Sequence, residues 1–126
     1  MTWAVVALGA AIGAPLRYLV EIAFQARATR RGRSAMSQSS LPWALLTVNV
    51  VGSALAGVVA ASSPIARAGI LVGFCGALTT YSGFGAHLDL QWRTNRPWFW
   101  VTLVAMPLAC VAAFVGAMLV VSAASG

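Results

Sequence analysis

The chain has 126 residues, of which 60% are hydrophobic and 8% charged, against about one-quarter charged in an average soluble domain; an ordinary soluble fold is excluded. At about 20 apolar residues per spanning helix, this length accommodates four membrane spans with short loops and leaves no room for a catalytic domain. The formal net charge of +6 comes wholly from arginine; in a soluble protein that would point to nucleic acid, but all except Arg17 lie in or beside gaps between apolar runs, where arginines orient a membrane protein, and no nucleic-acid partner is expected.

The first apolar run covers about 3–25 and contains Gly9, Gly13, Arg17 and Glu21 at intervals of four, hence on one helix face. Gly9 and Gly13 form a GxxxG spacing, which lets a second helix approach closely. Arg17 is costly in a span unless paired; Glu21 is the partner one turn away, and attraction of an anion to a vestibule is the other role open to Arg17. Its first arginine comes only at position 17, so the run lacks the basic start of a cleavable signal and is expected to be retained. Residues 25–40 carry four arginines with Ser, Thr and Gly, a loop composition with interfacial charge.

The second run, about 41–61, begins with Leu41-Pro42-Trp43 and bears a polar, small stripe of Asn49, Ser53 and Gly57. Facing lipid, the Asn49 amide would leave donors and acceptors unsatisfied at a cost of several kcal/mol. It therefore either bonds another helix or offers its NH2 group to an anion pathway. Ser62-Ser63-Pro64 makes a tight connection.

The third run, about 65–90, contains GFCGALTTYSGFG, where repeated glycines weaken a helix by about 1 kcal/mol each relative to alanine. A break in mid-membrane is expected there. Freed carbonyls either ligate a hard cation such as Na+ or are satisfied in a kink by the threonine hydroxyls. Tyr81 and Phe84, three apart, place neighbouring rings on one face, either as packing or as positive ring edges towards a small anion. His87 and Asp89 read as interfacial. Gln91 to Pro97 forms the last loop, Trp98-Phe99-Trp100 an aromatic belt, and the fourth run covers about 97–123. Cys75 and Cys110 lack the spacing of a metal site or redox pair and read as small membrane-buried residues.

The loop after run one holds four arginines and the loop after run three two, against Arg67 alone after run two and none in the tails. The positive-inside rule then places the first and third loops in the cytoplasm and both termini outside. No Ser/His/Asp triad, phosphate loop or metal cluster appears, and no enzyme activity is expected.

GAAIGAPLRY in the first run, TVNVVGS in the second and GFCGALTTYSGF in the third resemble the signatures of the Fluc/CrcB family of fluoride channels. The resemblance covers the chain except its loops and fourth helix. It implies an all-α membrane protein with a single domain, 1–126, of four transmembrane helices, the third broken in mid-membrane, assembled as an antiparallel dual-topology dimer in the lipid membrane. It also implies a passive, fluoride-selective channel that lets cytoplasmic fluoride out and so lowers its toxicity. By the same resemblance, Asn49, Tyr81, Ser82 and Phe84 map to the fluoride pore, and the carbonyls of Gly76 and Thr79 to a structural Na+ shared by both subunits.

The chain departs from the family pattern where Phe-Ser-Thr-Phe is usual, having Tyr81-Ser82-Gly83-Phe84. Its fourth run offers only Thr102 and Ser122 to the hydroxyl track that the family places there. A chain that inserts in both orientations should carry little arginine bias between its sides, and this one is strongly biased. One half of a heterodimeric pair is therefore favoured over a homodimer. The competing class is a small four-helix proton-coupled multidrug or cation exporter, which needs a membrane-embedded carboxylate; Glu21 and Asp89, the only acids, both lie near the ends of runs.

Overall fold

The computed structural model describes residues 2–30 and 42–125, and every regular element in it is helical. Helix α1 spans Thr2–Arg30, running beyond the expected end near residue 25. Gln, Ala and Arg are good helix formers, the Thr29 hydroxyl donates to the Gln25 carbonyl at 3.0 Å, and Arg27 and Arg30 in the last turn suit the negative end of the helix dipole. Arg31, Arg33 and Leu41 lie outside the described residues. Helix α2 spans Trp43–Val59, with Pro42 just before it. Its 17 residues stand at the lower limit for crossing a bilayer.

Ser63 opens the next helix by accepting the Ala66 N–H on its hydroxyl, with Pro64 in the first turn. This helix, α3 (64–78), is one α turn at Pro64–Ala66, a π-helical stretch at Arg67–Cys75, and a last α turn at Gly76–Leu78. Thr79 and Thr80 are extended, with φ/ψ of −77°/156° and −146°/125°. Helix α4 then spans Tyr81–Thr94, and α5 spans Arg96–Ala124. The loop expected at 91–97 contracts to Asn95: Gln91–Thr94 remain helical, Asn95 donates its N–H to the Gln91 carbonyl at 2.7 Å, and Pro97 fits the first turn of α5.

Among the described residues, three helical stretches, Thr2–Arg27, Pro64–Thr94 and Arg96–Ala124, are long and apolar enough to cross a membrane; α2 is shorter. Helix α1 packs on α3, and α2 on α5. A Cβ on Gly9 would collide with the Gly69 carbonyl, and one on Gly13 with that of Phe74. Reciprocally, a Cβ on Gly73 would meet the Val6 backbone. Two GxxxG pairs, Gly9/Gly13 and Gly69/Gly73, thus bring the backbones of α1 and α3 together, and Gly57 does the same for α2 against Phe114 of α5. Leu45, Phe84 and Met106 form a buried cluster from α2, α4 and α5, flanked by Leu46, Leu88, Leu103 and Cys110. The Trp92, Phe99 and Trp100 rings meet edge to face at the α4–α5 turn, with the Arg96 guanidinium 4.6 Å from the Trp92 ring centre.

Candidate functional site

Breaking the chain at Thr79–Thr80 sets the end of α3 against the start of α4. Thr79 is tied back, its N–H and its hydroxyl each reaching the Cys75 carbonyl at 2.9 Å. The Thr80 hydroxyl caps α4 by accepting the Gly83 N–H at 3.2 Å, and it pairs with the Ser82 hydroxyl at 3.1 Å. The Thr80 N–H, which in a continuous helix would bond the Gly76 carbonyl, donates instead to Asn49 Oδ1 at 2.9 Å. A backbone N–H only donates, so this bond fixes the orientation of the Asn49 amide. Asn49 Nδ2 faces the Thr80 carbonyl at 3.5 Å and Met106 Sδ at 3.7 Å. The first contact is long and the second is to a weak acceptor, leaving the NH2 group weakly committed.

Of the two roles open to Asn49, the bond to another segment is present, and it falls on the break itself. The arrangement has two electrical ends. Carbonyls at the end of α3 make a partial negative charge suited to a cation; the N-terminus of α4 makes a partial positive charge suited to an anion.

Beside the break lies an open groove of about 320 Å³, lined by Asn49 and Ser53 of α2, Thr79 and Thr80, Tyr81 and Phe84 of α4, and Met106, Pro107 and Cys110 of α5. The Tyr81 and Phe84 ring centres are 6.1 Å apart with planes tilted by 54°. Phe84 is buried in the apolar cluster, whereas Tyr81 is 85% exposed, so one ring is fixed and the other stands at the mouth. The groove holds amide and hydroxyl donors and ring edges, with no Asp, Glu, Lys, Arg or His among its lining residues. It can accept a small polar or anionic species through hydrogen bonds and ring edges, without an opposite formal charge.

Other residues singled out in the sequence lie elsewhere. Ser82 is exposed and not in the groove lining. Gly76 is exposed in the last turn of α3. Gly9 and Gly13 serve the α1–α3 contact. Arg17 is half-buried and pairs with Glu21 at 3.9 Å, while Asp89 pairs with Arg93 at 3.1 Å. Thr102 is fully buried, and its hydroxyl has no hydrogen-bond partner among the described residues. Sequence reasoning missed Gly69, although its spacing from Gly73 is itself a GxxxG signal, and it missed Met106, whose place beside Asn49 leaves no trace in a single sequence.

Fold and site define a multi-pass helical membrane protein in which a broken helix meets a largely apolar groove that carries a few polar groups. The profile of the family described as "CrcB-like protein, Camphor Resistance (CrcB)" matches residues 4–124, and the chain belongs to that family. It is 35% identical over 125 residues to "Fluoride-specific ion channel FluC" of Saccharophagus degradans, covering 94% of this chain and 84% of that protein. It is 30% identical over 123 residues to "Fluoride-specific ion channel FluC 1" of Listeria monocytogenes, covering 94% and 97%. To the protein of the same name in Nocardia farcinica it is 48% identical over 86 residues, covering 65% of this chain and about half, 53%, of that relative.

Proposed function

We propose that this chain is a subunit of a fluoride-selective channel that lets cytoplasmic fluoride leave the cell passively, and that the groove beside the Thr79–Thr80 break is one wall of its pore. The observation that carries the reading is the convergence of Asn49, Tyr81 and Phe84 on one groove at the N-terminal end of α4. Fluoride is small and densely charged, so it must exchange hydrating water for close donors. In the groove, the weakly held Asn49 NH2 and the edges of the two rings are such donors, whereas the Ser82 hydroxyl, paired with Thr80 outside the groove lining, would have to be brought in by a rearrangement or by the second subunit. Selectivity then arises because a larger anion gains less from the same donors for the water it sheds.

The groove is open on one side, and its mouth residue Tyr81 is exposed; a second, antiparallel subunit would close it. The carbonyls of Gly76 and Thr79 suit a structural Na+ between two such subunits. Gly76 has lost its i+4 donor to Asn49, and the extended Thr79 turns its peptide out of the helix. Backbone carbonyls are the hard oxygen ligands that such a cation takes. Bound there, Na+ supplies a fixed positive charge facing the carbonyl ends of the broken helices. The exporter alternative requires an acid free to exchange protons, whereas Glu21 and Asp89 are each held in an ion pair.

Fluoride efflux from proteoliposomes, with chloride as control, tests the reading. We expect rapid fluoride efflux, from this chain alone or with an oppositely oriented homologue, that falls at least about tenfold in Asn49→Asp, the loss that one misplaced buried hydrogen bond of about 1.4 kcal/mol would cause, and that also falls in Phe84→Ala, which removes a ring edge from the groove. In Asn49→Asp, the bond from the Thr80 N–H survives while the donor becomes an anionic acceptor. Silence under both conditions would sink the proposal.

A further inference from the structure

The groove carries two atoms that hydrogen bonding to a small anion leaves unused, the sulfurs of Met106 and Cys110. They stand one turn apart on α5 and both line the groove, so their side chains are neighbours on one helix face. Met106 Sδ is turned towards the polar end, 3.7 Å from Asn49 Nδ2, a contact in which thioether sulfur is a weak acceptor. Cys110 is a free, half-buried thiol packed against the cluster of Leu45, Phe84 and Met106. Cys75, the other cysteine, is buried and not in the groove lining.

We propose that Met106 and Cys110 form a two-sulfur site for a thiophilic monovalent cation of the Ag+ or Cu+ class. Thioether and thiolate are the ligands that such soft ions prefer over the oxygen donors elsewhere in the groove. On binding, the Cys110 S–H bond breaks, its proton passes to water and the sulfur bonds the metal; Met106 donates a lone pair and loses no proton. No electron is transferred. One thiolate and one monovalent cation sum to zero charge, which suits a site walled by Phe84 and Pro107, because an uncompensated charge there would be heavily penalised. The hard Na+ suggested for the carbonyls of Gly76 and Thr79 has no affinity for these sulfurs, so the two sites are chemically separate. The sulfur site also stands independently of the fluoride reading.

The test uses the whole purified chain in detergent, in chloride-free buffer, with silver nitrate as the probe. N-ethylmaleimide is expected to label Cys110 of the unaltered chain, as read by peptide mass, and stoichiometric Ag+ should suppress that labelling. Met106→Leu, a volume-conserving change that leaves the fold in place, should weaken Ag+ binding by about tenfold or more, since even outer-shell changes cost a metal site that much. Cys110→Ser should remove the protected, silver-binding thiol. Failure of the reagent to reach Cys110, failure of Ag+ to protect it, or unchanged affinity in Met106→Leu would each overturn the site. None of these readouts involves fluoride, so such a failure would leave the channel reading untouched.

Discussion

Tyr81 separates two physical roles that an aromatic residue can play at this position. Its ring neighbours that of buried Phe84, yet it is 85% exposed, and its hydroxyl makes no hydrogen bond among the described residues. Phenylalanine, which the resemblance in sequence implies at this position, would keep the positive ring edge and lack the hydroxyl. If the edge is the ligand, Tyr81→Phe should preserve fluoride flux within a few-fold while Tyr81→Leu abolishes it. Both should leave the melting behaviour of the detergent-solubilised chain nearly unchanged, because exposed substitutions without lost partners stay within about 0.5 kcal/mol. Proteoliposome efflux beside a thermal melt decides the matter: a large loss in Tyr81→Phe would make the hydroxyl the ligand. At this scale the sequence was informative about residue type and silent about partners. An asparagine and two aromatics near a glycine-rich segment were legible as polar and ring donors. The bond between Asn49 and the Thr80 N–H was not, because it joins residues 31 apart in the chain.

Among the helices, the glycines divide by what surrounds them. Gly9, Gly13 and Gly73 sit where a Cβ would strike the backbone of the facing helix, whereas nothing lies within 4 Å of a Cβ built on Gly85 or Gly116. Backbone cannot yield as a flexible side chain does, so Gly9→Val or Gly13→Val should force α1 off α3 and give a chain that aggregates in gel filtration. Gly85→Ala and Gly116→Ala should fold normally, with a gain of up to about 1 kcal/mol from helix propensity. Equal behaviour of the two groups would refute the α1–α3 packing. The GxxxG of α1 and the need for a break in the third run could be read in advance, since both depend on local spacing and composition. The π-helical stretch at Arg67–Cys75 could not, because widening a helix by one residue per bond answers to the neighbour it packs on, and Gly69 and Gly73 show that neighbour to be α1. The continuation of α1 through Arg30 and the single-residue turn at Asn95 were also hidden, because polar arginine-rich sequence reads as loop even where it continues a helix.

For the whole molecule, the distribution of arginine bears on how many kinds of chain the channel needs. Arginine flanking a span holds its side of the membrane at the cytoplasm, and the first and third connections together carry six arginines against one, Arg67, on the opposite side. A homodimer of antiparallel subunits needs the same chain inserted both ways in equal numbers, which this bias opposes. We therefore expect one orientation. A C-terminal alkaline phosphatase fusion should be active and a green fluorescent protein fusion dark, because both tails would face outwards. Exchanging Arg93 and Arg96 for glutamine and adding two arginines beside Arg67 should shift the population towards the reverse insertion, brightening the fluorescent fusion. Phosphatase and fluorescent fusions that are equally active in the unaltered chain would mean dual insertion, and the argument for a paired, oppositely oriented homologue would fall with it.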